Sequence, residues 1–162
     1  MYSFSLNKPL IGPLAHKAPA GFLFYGSIFG GEHVEIAFEK SDGLVPAIVQ
    51  DERTGDVLML GFMNQQALAE TQRTGEVVFF SRSRGRLWKK GESSGHVLKV
   101  RDVRIDCDAD TLLLRVEAVG PGVCHQGYRT CFFRRFERNG STQELEERTF
   151  TPEEVYGQEK SQ

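Results

Sequence analysis

Cysteine is scarce in this chain and odd in number, three residues in 162. A secreted disulfide framework uses an even set, so that class is excluded. All three lie between Cys107 and Cys131, a confinement that suggests a metal site or catalysis in a reducing cytosol. Charge of one sign is also lacking: 20 Lys and Arg stand against 22 Asp and Glu, for a formal net charge of −2. Such a chain has no global attraction to nucleic acid or an anionic membrane, and any anion site must be local. No apolar run is long enough for a bilayer; the N-terminal one, Gly21 to Phe29, is too short to span it. His16 and Lys17 precede that run. Pro13, Pro19, Gly21 and Gly26 break the segment, however, and it has no small-residue cleavage site, which argues against a secretory signal. Internal repeats and a linker between two cores are absent as well.

What is present is ordinary for a globular domain, 40% hydrophobic and 26% charged residues. A chain of this length buries about two-thirds of its unfolded surface and has room for one core. Residues 1–33 are rich in Gly and Pro without a clean period, which predicts a loosely ordered extension. Pro46 to Asp51 and Val57 to Phe62 read as a hairpin about the turn Arg53-Thr54-Gly55. Asn64 is a helix N-cap, Gln65 to Arg73 a short helix, and Gly75 its stop. Val77 to Ser81 reads as a strand, followed by a basic, Gly-containing loop. Val97 to Ile105 and Thr111 to Ala118 alternate with strand period, and Cys131 to Phe136 is the expected last strand. From Gly140 the chain is polar and acidic and is expected to fray, giving a domain over 34–138 and a tail over 139–162. The expected fold is α+β and strand-dominated, a small mixed-sheet, pseudo-barrel-like domain with one or two short helices.

Chemistry concentrates in Asp106-Cys107-Asp108-Ala109-Asp110, then Cys124-His125, then Cys131. Zinc favours thiolates; three protein ligands plus water make an open catalytic site, four a closed structural one. Three cysteines fit the open pattern unless His125 completes the set. Three buried thiols acting as small apolar residues are the bland alternative, and Cys124 in a polar, Gly-rich loop argues against it. On an extended backbone Asp106, Asp108 and Asp110 share one side and Cys107 faces the other. Converging carboxylates need a cation, and hard oxygen ligands suit Mg²⁺ or Ca²⁺. The spacing of Asp106, Asp108, Asp110 and Glu117 mimics an EF-hand. That motif is rejected because Thr111 stands where the loop needs Gly and the flanks have strand period.

The second constellation runs from Ser81 to His96. Its cations, hydroxyls and glycines around one Trp suit an anionic, planar ligand. Arg82, Arg84 and Lys90 neutralise phosphate, Gly91 and Gly95 admit backbone N–H groups, and Trp88 offers a face to a base. Ser83, Glu92, Ser94 and His96 complete this candidate substrate site. A solvated basic loop, or a groove for single-stranded nucleic acid, is the competing reading. His125 is the candidate proton carrier, since imidazole titrates near neutrality.

These constellations in this order resemble the phosphoribosyl-AMP cyclohydrolase family. The resemblance runs from about Asp42-Gly43-Leu44-Val45-Pro46-Ala47 to Cys131-Phe132-Phe133. It includes Met59-Leu60-Gly61-Phe62-Met63-Asn64, Ser81-Arg82-Ser83-Arg84, Leu87-Trp88-Lys89-Lys90-Gly91-Glu92-Ser93-Ser94-Gly95-His96 and Cys124-His125-Gln126-Gly127. It implies a cytoplasmic, intertwined homodimer that hydrolyses the N1–C6 bond of the adenine ring of phosphoribosyl-AMP in histidine biosynthesis. It implies one zinc per subunit on Cys107, Cys124 and Cys131, shared between subunits, and magnesium on Asp106, Asp108 and Asp110. Residues 1–33 have no counterpart in the pattern. A fused pyrophosphohydrolase domain is missing too, so the preceding step is expected to belong to another protein. No membrane or nucleic-acid partner is expected. Two other classes compete: a zinc-stapled module that grips RNA with its Ser/Arg loop, and a metal-stabilised structural homodimer without activity.

Overall fold

The computed structural model describes residues 34–157, so the extension expected over residues 1–33 lies outside the described residues. A 3-10 turn over Phe38–Ser41 leads into strand β1 (Val45–Asp51), which turns back into β2 (Val57–Met63) as the expected antiparallel hairpin. Helix α1 (Gln65–Thr74) follows, with the Asn64 side chain accepting from Ala67 N and Gly75 ending it in the left-handed region at φ 69°. Strands β3 (Val78–Ser81), β4 (Arg86–Lys89), β5 (Leu98–Ile105) and β6 (Leu112–Ala118) come next. The main sheet has the order β2-β1-β6-β5; β1 and β6 run parallel and the other pairs antiparallel. The domain is therefore a strand-dominated α+β fold with a mixed sheet and few helices.

Period-two patterning explains the core. Val45, Ala47 and Val49 on β1 and Leu112, Leu114 and Val116 on β6 all point to one face and are buried. Leu58, Met63, Phe79 and Leu98 fill the space against them. The buried Thr71 hydroxyl docks α1 onto β3, accepting from Val78 N at 3.0 Å and donating to Val78 O at 3.2 Å.

Three expectations are corrected. The basic loop after β3 is a hairpin, because β4 pairs with β3 and only residues 82–85 form the turn. The last strand expected over Cys131 to Phe136 is shorter: β7 spans Arg134–Phe136 and pairs with a further strand, β8 (Thr142–Glu144). The segment beyond Gly140, expected to fray, is tied down. Leu145 N donates to Phe133 O, and a capping box at Thr151 starts helix α2 (Pro152–Tyr156). Backbone pairing with the preceding loop, invisible to composition, supplies that order. Among the described residues no helix is long and apolar enough to cross a membrane.

Candidate active site

The acidic segment is the connection between β5 and β6, not an extended strand. Asp106 N donates to Thr111 O across it, the Asp106 carboxylate accepts from Asp110 N and Thr111 N, and Ala109 takes a φ of 61°. An Asp side chain that captures backbone N–H groups favours such a turn over a strand. The three carboxylates do converge, their oxygens lying within 4.8 Å of one another, but the turn rather than alternation brings them together. Lys40 already serves as a cation for them, with Nζ 2.9 Å from Asp108 and 3.5 Å from Asp110. Its hydrogen bond and charge hold the Asp108 carboxyl below the usual carboxylate range. Lys40 went unnoticed in the sequence because it lies 68 positions from its partner.

The cysteines divide into two places. Cys107 is exposed in the acidic turn, its thiol 4.0 Å from Asp108 Oδ1. Cys124 is 3% exposed and packs with Tyr128 and Phe133, so the polar composition of its loop did not keep it out of the interior. Cys131 interacts with Cys124; it keeps solvent-accessible surface, yet the protein packed round its thiol first, then the Cys124 thiol, pushes its pKa up to about 12. Among the described residues, no three thiols of one chain converge.

Several elements position the Cys124–Cys131 pair. Cys124 N donates to Tyr128 O and Gly127 N to Cys124 O, which closes a tight turn. Cys131 N donates to Leu58 O, fixing that cysteine to β2. Arg129 anchors the intervening loop to the β1–β2 turn through Asp56 at 2.5 Å and Asp51 at 3.3 Å. On the other side, Thr149 N donates to Gly127 O at 2.7 Å. Gly127 has a φ of +92°, and an added Cβ there would strike Phe150 O. The C-terminal segment thus braces the cysteine loop.

The other expected site residues are arranged as follows. Arg82 stacks its guanidinium 3.8 Å over Phe62, and Arg86 pairs with Glu92 at 3.7 Å. Arg84 is exposed and has no ion-pair partner among the described residues, and Ser83 is exposed beside the Ser81 hydroxyl. Trp88 stacks on Phe79 and packs against the core, which accounts for a Trp here without any ligand. Gly95 N donates to Gly91 O, and the Ser94 hydroxyl accepts from His96 N, so residues 91–96 form a compact turn. His96 is held by Gly122 O at 3.0 Å from Nδ1 and by the edge-on ring of Phe150. His125 is exposed and its ring has no hydrogen-bond partner among the described residues. Lys90 departs most from expectation: it is only 6% exposed. Burial lowers its pKa, while Cys131 and Cys124 act to raise it. The strand period carried the signal, because Trp88 and Lys90 share a face once β4 is recognised.

Comparison with known proteins identifies the family. The family model described as phosphoribosyl-AMP cyclohydrolase matches residues 59–133. The phosphoribosyl-AMP cyclohydrolase of Desulforapulum autotrophicum is 52% identical over 123 residues, 76% of this chain and 98% of that protein. That of Solibacter usitatus is 52% identical over 124 residues, again 76% of this chain and 98% of the relative. The Rhizorhabdus wittichii protein of the same name is 61% identical over 100 residues, 62% of this chain and 80% of its own length. With this identity sustained over almost the full length of such relatives, the chain belongs to the phosphoribosyl-AMP cyclohydrolase family.

Proposed function

We propose that this chain is a phosphoribosyl-AMP cyclohydrolase, a hydrolase that opens the adenine ring of 1-(5-phosphoribosyl)-AMP at the N1–C6 bond in histidine biosynthesis. The observation that carries the reading is the pairing of the Cys124 and Cys131 thiols, in a chain of this family. Two neighbouring thiols suit a thiophilic divalent cation that binds them as thiolates. Cys107, Cys124 and Cys131 would hold one Zn²⁺ per subunit, with Cys107 contributed across a homodimer interface where the active site lies. Zinc held there would lower the pKa of bound water to about 7 and so supply a nucleophile at neutral pH. The electron-poor C6 of the N1-substituted ring is the position attacked.

The chain's own side chains do the rest. His125, exposed beside Cys124, moves the proton between nucleophile and ring nitrogen. Asp106, Asp108 and Asp110 would hold Mg²⁺, with Lys40 now paired to Asp108 and Asp110, and Arg84 and Arg82 would bind phosphate from the β3–β4 turn. Three free thiols suit the cytoplasm. The RNA-binding alternative is not favoured, since the chain is 52% identical to cyclohydrolases over nearly their whole length. A spectroscopic turnover assay with phosphoribosyl-AMP tests the proposal, and zinc-loaded protein that leaves the substrate unchanged would sink it.

Two variants separate the roles. Asp108→Ala is expected to raise the Mg²⁺ concentration for half-maximal turnover by about tenfold or more, as outer-shell losses alone commonly cost that much. Its zinc content should stay intact by metal analysis; loss of zinc instead would show that the two sites were confused. Arg84→Ala is expected to raise KM about ten- to a hundredfold, the worth of one charge-assisted contact. An unchanged KM would make the turn ordinary solvated surface.

A further inference from the structure

A buried backbone carbonyl needs a donor, because without one it forfeits the hydrogen bond it made with water. Gly122 is buried two positions before Cys124, and among the described residues its carbonyl has one donor, a side chain 26 positions away. His96 Nδ1 lies 3.0 Å from Gly122 O. A carbonyl oxygen only accepts, so this ring nitrogen carries the proton and donates it. The peptide plane between Gly122 and Val123 is thereby held at both edges, since Val123 N donates to Arg129 O at 3.2 Å. One residue on, Cys124 N donates to Tyr128 O at 3.0 Å. The imidazole is also closely seated. A Cβ at Gly120, where φ is +98°, would come within 2.6 Å of His96 Cδ2, and the Phe150 ring stands edge-on at 4.9 Å. Gly91, at φ +88°, makes room for the backbone: a Cβ there would lie 2.6 Å from His96 O. We infer that His96 is a positioning residue that locks the cysteine loop to the turn over residues 91–96, and not a substrate ligand.

The effect on chemistry rests on the reading of Cys124 as a zinc ligand. Groups behind a metal's ligands fix the ligands' orientation, and losing one commonly costs about ten- to a hundredfold in metal affinity or activity. His96 stands in that relation to Cys124 through the backbone of the loop, without touching the metal. Its Nδ1 is committed to Gly122 O and its Cδ2 edge lies on Gly120. Only Nε2 is left to meet a ligand, and such a contact would show in KM.

The test uses full-length protein with two substitutions. His96→Phe keeps a ring against Gly120 and Phe150 but loses the donor, whereas His96→Asn loses the ring and keeps an N–H near the place of Nδ1. Zinc affinity is read by chelator competition, and the loop by hydrogen–deuterium exchange over residues 122–128 of the metal-free chain. His96→Phe should weaken zinc binding about ten- to a hundredfold. Its loop should exchange faster, while exchange in β1 and β6 and the KM at saturating zinc keep their wild-type values. His96→Asn should recover most of the affinity and of the loop's protection. Native zinc affinity and loop exchange in His96→Phe, with a raised KM alone, would overturn the inference in favour of substrate binding through Nε2. Faster exchange throughout β1 and β6, with no recovery by Asn, would overturn it in favour of general packing. Wild-type protein that takes up no zinc would instead overturn the cysteine reading, while loop exchange in the two variants still decides the lock.

Discussion

Replacing Cys124 by serine is expected to remove bound zinc and to lower turnover about a thousandfold or more. A serine hydroxyl is hard and stays protonated at neutral pH, whereas zinc selects soft thiolate. Cys131 cannot hold the ion alone on its side of the site, because a single thiolate is too few ligands for a tightly held zinc. Without zinc the attacking water would lose its acidification, which forfeits several kcal/mol of nucleophile generation, at about 1.4 kcal/mol per tenfold. The loss should be chemical rather than structural. Cys124 is small, and its turn is closed by backbone bonds to Tyr128 and Gly127 that a serine preserves. Metal analysis and a thermal melt on the same sample decide the matter. Full zinc occupancy in the serine variant would remove Cys124 from the ligand set.

Period and turn chemistry made most of the sheet legible. The alternation over Val45 to Val49 and Leu112 to Val116 predicted the buried face, and Asn64 and Gly75 marked α1 at both ends. The failures have physical causes. Arg86 to Lys89 carries so much charge that its strand period was read as a loop, and the burial of Lys90 was missed with it. The convergence of the three carboxylates follows from alternation only on an extended backbone; the turn that brings them together depends on the capture of Asp110 N and Thr111 N by Asp106, a loop conformation that composition does not encode. Lys40 and Phe150 reach the site only through long-range packing, against Asp108 and His96. For the same reason the C-terminal segment, polar in sequence, gave no hint that it braces the cysteine loop. The residue types for chemistry were plain, and the resemblance implied that Cys107 stands apart from Cys124 and Cys131 within one chain.

That division leads to the second large effect: two inactive variants, Cys107→Ser and Cys124→Ser, should restore activity when unfolded and refolded together. Cys107 stands with the carboxylates on the β5–β6 turn, and no group of three metal-binding side chains among the described residues joins it to Cys124 and Cys131. If all three hold one zinc, the third must come from another chain. The surface around both places favours such a partner. Ile105, 40% exposed, precedes the acidic turn, and Phe132, 55% exposed, follows Cys131. Apolar side chains left in water beside exposed thiols mark surface that a second copy can cover. Zinc would then bridge the chains, and its binding energy would contribute to association. In a mixed dimer one site loses both altered ligands while the other keeps three native cysteines. Activity should therefore return to about half the native value per mixed dimer, given independent sites; homodimers of either variant stay inactive because every site lacks one ligand. Size-exclusion chromatography with zinc should show a dimer that a strong chelator weakens. Heterodimers that form and remain inactive would place all three zinc ligands within one chain and end the case for a shared site.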